Sequence, residues 1–146
     1  MGSRVLIVGS GGREHALAMG LSISKSVEDI HIAPGNAGTS ELGTNHNVDA
    51  GDIGGIVKLS KELGVDLVIV GPEKPLVEGL SERIREEGIL CFGPHSEGAM
   101  LEGSKLFAKN AMLECGVPTG RIYEIRDESE MLVALNDFKP PWVVKR

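Results

Sequence analysis

Apolar residues in this chain gather in short continuous runs, each closed by glycine or proline. Residues 4–8 end at Gly9, residues 29–33 at Pro34-Gly35, residues 66–70 at Gly71-Pro72, and residues 89–92 at Gly93-Pro94. Such runs predict strands buried on both faces. The intervening segments carry a helical period instead. Residues 13–23 place Leu17 and Leu21 four apart, and residues 53–63 align Ile56, Leu59 and Leu63 with Lys58, Lys61 and Glu62 off the stripe. Leu76, Leu80 and Ile84 repeat every four residues among Glu82, Arg83, Arg85 and Glu86, predicting a third helix. Strand alternating with helix predicts an α/β fold built on an open parallel sheet, whose ligands sit beyond the carboxyl ends of the strands. The glycines stand there.

A second unit is expected from residue 101, giving domains of residues 1–100 and 101–146. Ser104 caps a predicted helix that carries Phe107, Ala111 and Cys115 on one face and stops at Gly116 and Pro118. A strand over residues 121–125 follows, then a helix opened by Asp127 with Glu130 three residues on, the spacing of a capping box. Pro140-Pro141 leads into a last predicted strand over residues 142–146. A unit this small is expected to dock on the first or on further sequence.

Composition narrows the function classes. Fifteen Lys and Arg against 21 Asp and Glu give a net charge of −6 and a pI near 5.2, which argues against nucleic acid as a partner. Aromatic residues, at 3%, are too few for base-stacking platforms. No apolar run approaches the roughly 20 residues of a membrane-spanning helix, and no secretory signal pattern opens the chain. Cys91 and Cys115 form no C-x-x-C, so a reduced, cytoplasmic chain is expected. Glycine supplies 20 of 146 residues, about twice the usual ~7%.

The segment Gly9-Ser10-Gly11-Gly12-Arg13-Glu14-His15 leaves the first strand and opens the first helix. Glycines there allow a tight turn whose N–H groups approach an anion, and the helix N-terminus favours negative charge, so a phosphate is the expected guest. A dinucleotide fingerprint competes with this reading. Gly9 and Gly11 fit it, but Glu14 occupies the third small position and Ala33-Pro34-Gly35 replaces the acidic ribose partner. A nicotinamide-dependent oxidoreductase is therefore disfavoured. Pro34-Gly35-Asn36-Ala37-Gly38-Thr39 offers side-chain donors and acceptors suited to sugar hydroxyls, or simply a turn. Glu73, held between Pro72 and Pro75, is placed to accept from an amine or a ribose, or to complement a helix N-terminus. Lys105 and Lys145 read in isolation as solvated lysines, and His15, His31, His46 and His95 show no metal-ligand spacing.

Seven collinear motifs then carry a resemblance: VLIVGSGGREHAL (residues 5–17), APGNAGT (33–39), NVD (47–49), DLVIVGPEKPLVEG (66–79), FGP (92–94), LEGSKLFAK (101–109) and VVK (143–145). Together they resemble the phosphoribosylamine–glycine ligase family of the ATP-grasp superfamily, over essentially the whole chain. The resemblance implies a Rossmann-like N-terminal substrate domain followed by the truncated start of an ATP-grasp domain. It implies ligation of glycine to 5-phosphoribosylamine through glycyl phosphate, driven by ATP hydrolysis to ADP and phosphate with Mg (or Mn), in de novo purine (IMP) synthesis. By that resemblance Gly11, Gly12, Arg13, Asn36 and Glu73 bind phosphoribosylamine, while Lys105 and Lys145 contact nucleotide phosphates. No catalytic residue or metal ligand is assigned. The family continues past the VVK strand with a glycine-rich lid and metal ligands, so the chain is expected to be a fragment that is inactive alone, with no cofactor bound. Its partners are then small molecules, with self-association expected through surface exposed by truncation. A stand-alone, non-catalytic phosphosugar- or nucleotide-binding module is the alternative.

Overall fold

The computed structural model describes residues 2–144, which fall into two compact units divided between Gly103 and Ser104. The first unit is an open, all-parallel, Rossmann-like sheet. Its strands are β1 (Ser3–Gly9), β2 (Val27–Pro34), β3 (Thr44–Asn45), β4 (Leu67–Val70) and β5 (Leu90–Phe92), in the spatial order β3-β2-β1-β4-β5. Val8 of β1 stands beside Ala33 on one side and Val70 on the other, so three strands end level with one another. Between β1 and β4 the order reverses, which opens the crevice used by ligands of such sheets.

Each central strand feeds two cores because successive side chains alternate faces. Val5, Ile7, Ile30, Ile32 and Ile69 face helix α1 (Gly12–Ser22), whose Ala18 is buried among them. Leu6, Val8, Val68 and Val70 face the opposite layer, made by α2 (Ile53–Leu63), α3 (Glu73–Val77), α4 (Leu80–Glu86) and α5 (Ser96–Gly103). Helix α1 packs chiefly on β1 and β2, and among the described residues the cluster it covers reaches β4 at Ile69 without taking in Leu90 or Phe92. Leu90 and Phe92, in register with Leu67 and Ile69 on that same face, are therefore left 70% exposed.

The third predicted helix is corrected to two. Gly79, at φ 87°, takes the left-handed conformation that glycine adopts cheaply, and it separates α3 from α4. Leu76, Leu80 and Ile84 are nonetheless all buried, so the stripe holds across the break. Helix α2 matches its predicted limits, with Asp52 accepting the Gly55 N–H at 2.9 Å and Gly64 closing it in the left-handed region. The short β3, the 3₁₀ turn Thr39–Glu41 and α5 carry no periodic signal strong enough to be predicted.

In the second unit, α6 (Lys105–Glu114) is capped by Ser104, which accepts the Phe107 N–H at 3.2 Å, and Gly116 follows it at φ 67°. Asp127 caps α7 (Glu128–Asp137), accepting the Glu130 N–H at 2.9 Å. The capping box is shifted by one residue, because Glu130 Oε2 accepts from Arg126 N instead of Asp127 N. Residues 121–125 and 142–144 form no strand, which corrects two expectations. A strand needs a neighbour to pair its backbone, and among the described residues this unit offers none. Side chains hold residues 121–125 instead: Arg121 pairs with Asp137 at 2.7 Å and lies over the Phe138 ring, while Tyr123 donates to Asp137 at 2.7 Å. Lys145 and Arg146 lie outside the described residues. No helix among those described is long and apolar enough to cross a membrane.

Across β2 and β3, His31 Nδ1 lies 3.1 Å from His46 Nε2, one ring donating to the other. Burial, then the neighbouring His46, push the His31 pKa below its ordinary value; Arg4 adds to the shift and Asp29 opposes it. A depressed histidine pKa favours the neutral folded form, so stability is full above about pH 6.5 and declines as the pH falls through the folded value. Urea midpoints are expected to fall between pH 7.5 and 5.5, and His31→Asn is expected to flatten that part of the profile.

Candidate functional site

Three loops meet at the carboxyl ends of β1, β2 and β4. Backbone hydrogen bonds level them: Gly35 N donates to Gly9 O at 3.1 Å, and Gly71 N donates to Val8 O at 3.0 Å. Gly9 turns the chain out of β1 at φ 129°, a conformation open to glycine, and Gly11 is the N-cap of α1. The exposed first turn of that helix then presents Gly12 and Arg13, and a Cβ added to Gly12 meets nothing within 4 Å. Free N–H groups and the positive end of the helix dipole point out of this edge.

Of the predicted phosphoribosylamine residues, the turn after β1 carries Gly11, Gly12 and Arg13, and Glu73 begins α3 across the crevice. Arg13 spans the gap. Its Nη2 lies 4.0 Å from Glu73 Oε2 and its Nε 4.0 Å from Glu14 Oε1, and the side chain is 62% exposed. These distances are too long for hydrogen bonds, so the guanidinium keeps its donors for another partner.

Asn36 is spent inside the protein. Its Nδ2 donates to Ser10 O at 2.9 Å, and its Oδ1 accepts from Gly38 N at 2.8 Å and Thr39 N at 3.0 Å. It fastens the β2 loop to the β1 loop. Thr39 is fully buried; its hydroxyl accepts the Asn36 N–H at 2.7 Å and lies 2.8 Å from Asn45 Oδ1. The donors and acceptors of this loop, read from sequence as suited to sugar hydroxyls, are committed to the loop's own shape.

Glu14 is the residue that sequence reasoning missed. It reads there as an obstacle to a dinucleotide, yet its carboxylate folds back into the turn and Oε2 accepts the Gly11 N–H at 2.6 Å. The signal was its position three residues after the N-cap, the same spacing noticed at Asp127 and Glu130. His15 packs its ring where a Cβ on Gly38 would stand, 2.6 Å from Cε1, and so joins α1 to the β2 loop.

Lys105 is the exposed first residue of α6 in the second unit, and Lys145 is outside the described residues. One exposed lysine is too little to define a nucleotide site, and the roles of ATP and metal rest on kinship.

That kinship is close. The phosphoribosylglycinamide synthetase N-domain model matches residues 3–102. The phosphoribosylamine–glycine ligase of Streptomyces coelicolor is 49% identical over 142 residues, covering 97% of this chain and 34% of that protein. That of Vibrio parahaemolyticus is 46% identical over 145 residues, with the same coverage of 97% and 34%. The crystal structure of phosphoribosylamine–glycine ligase from Thermotoga maritima superposes with a TM-score of 0.65 at 34% identity, over 94% of this chain and 31% of that one. The chain thus spans about a third of the length of these relatives. Since the matched segment takes in all five strands and the three loops at their ends, the chain belongs to the phosphoribosylglycinamide synthetase N-domain family.

Proposed function

We propose that the first unit forms the phosphoribosylamine side of a ligase that joins glycine to 5-phosphoribosylamine. The family match carries this reading, because it falls on the unit whose sheet reversal opens the crevice. In the complete enzyme, glycine's carboxylate would take the γ-phosphoryl group of ATP to give glycyl phosphate and ADP, Mg (or Mn) would supply charge neutralisation, and the amine of phosphoribosylamine would then displace phosphate. An acyl phosphate is needed because a carboxylate is a poor acyl donor to an amine, and the protein contributes chiefly position and charge. Within this chain, Arg13 and the first-turn N–H groups at Gly12 take the anionic end of the sugar. Glu73 faces its polar edge, and Asn36 acts indirectly by fixing the loop beside Ser10. Lys105 and Lys145 belong to the nucleotide side. The 146 residues alone are expected to bind the sugar without completing ligation.

Ribose 5-phosphate, a stable relative of the substrate, provides the test by titration calorimetry at fixed ionic strength. Arg13→Ala is expected to weaken binding ~10-fold or more, the loss of one charge-assisted hydrogen bond. Gly12→Val is expected to weaken it similarly while leaving the unfolding midpoint in place, because its side chain enters open space. Unchanged affinity in both variants would overturn the assignment.

A further inference from the structure

Glu14 holds a feature that neither the fold nor the proposed reaction uses. The residue is 3% exposed; Oε2 takes the Gly11 N–H, but Oε1 is buried without a hydrogen-bond partner. Glycines make the room for this carboxylate. A Cβ on Gly9 would stand 2.7 Å from Glu14 Cδ, one on Gly11 2.9 Å from Oε2, and one on Gly71 would overlap Oε1. A buried carboxylate oxygen lacking a donor has given up water without replacement, which destabilises it. Such a cost is recovered when a donor arrives.

The place of Oε1 narrows the kind of donor. It lies between the turn after β1 and the first residue after β4, at the reversal of strand order. Oε1 is a carboxylate oxygen, so the group that completes it must donate a hydrogen, while the anionic end of the ligand goes to Arg13 and the exposed Gly12 N–H. Arg13, Glu14 and Glu73 together bring one positive and two negative charges to the crevice, a balance that suits an N–H-bearing group beside an anionic one. Arg13, exposed and hydrogen-bonded to neither carboxylate, is free to swing off Oε1.

We propose that Glu14 Oε1 accepts an N–H from a ligand amine, the C1 amine of the phosphosugar, and is the positioning residue for that nitrogen. This rests on the phosphosugar reading above. An amine that donates one N–H to a carboxylate keeps its lone pair, so Glu14 orients the nitrogen for attack without protonating it. The Gly71 position is part of the device, since any side chain there would displace the oxygen that does the holding.

The test uses two carbocyclic analogues of the sugar 5-phosphate, identical except for an aminooxy group, whose amine is neutral at pH 8, or a methoxy group of the same size at C1, titrated into the 146-residue chain at pH 8. The amine analogue is expected to bind ~10-fold more tightly, about 1.4 kcal/mol. In Glu14→Gln that ratio is expected to fall below ~2 while the methoxy analogue's affinity changes little. Glu14→Asp, which withdraws the carboxylate by one methylene, serves as the second variant and is expected to lose the preference as well. Equal binding of the two analogues to the wild type overturns the inference, as does a preference that survives in either variant; the phosphosugar reading then stands, because both analogues still bind. If neither analogue binds, both are overturned.

Discussion

Replacing Gly71 with alanine is expected to destabilise the protein by about 2–3 kcal/mol, read as a lower urea midpoint at unchanged slope. Gly71 lies outside the left-handed region, so the penalty is steric and not conformational. The added methyl would overlap Glu14 Oε1 and come within 2.6 Å of Cδ. The carboxylate cannot simply retreat, since Oε2 is tied to Gly11 N and a Cβ-sized gap is missing on that side too. Gly12→Ala, in the same loop cluster, is the control: its Cβ meets nothing, and a change within about 0.5 kcal/mol is expected. Combining Gly71→Ala with Glu14→Ala should cost less than the two single changes together, because the second removes the group that the first strikes. Simple additivity would contradict the clash.

Acid is expected to expose a second large effect at Glu82. This α4 carboxylate accepts the Ser96 N–H at the start of α5 at 2.6 Å, and Ser81 Oγ lies 2.9 Å from its other oxygen. Burial alone would raise its pKa; the hydrogen bonds from Ser96 and Ser81 outweigh burial and bring it down to about 2. A folded value below the ordinary 4.5 means that the ionised form stabilises the fold. That contribution is complete above about pH 4.5, shrinks as the pH falls toward 2, and vanishes below both values. The side chain is 27% exposed, and solvent screening trims the full linkage energy. Glu82→Gln is therefore expected to cost about 2 kcal/mol at pH 7, with the gap from wild type closing between pH 5 and 2. A gap independent of pH would show that Glu82 acts through packing alone.

The parts of the fold legible in sequence are those whose residues face a single environment. Residues 5–8 read as a strand because both faces of β1 are buried, and Ile53–Leu63 read as a helix because its stripe, cap and closing glycine agree. Residues 121–125 have strand-like composition, but pairing depends on a neighbour that composition does not reveal. The Leu76, Leu80 and Ile84 repeat foretells burial correctly and the helix break not at all, since only the backbone of Gly79 records it. At the candidate site, glycine positions are visible while their tenant is not. Glycines that look like room for a ligand phosphate surround the carboxylate of Glu14, and Asn36 looks like a ligand donor because its internal partner, Ser10, is 26 residues away in sequence.

The clasp of Asn36 on Ser10 has a dynamic consequence. Loops that share a fastening open together, so the amides after β1 and those after β2 should exchange with solvent deuterium at one common rate. Occupancy of either loop would then slow exchange in both, and severing the clasp with Asn36→Ala would let each breathe at its own pace.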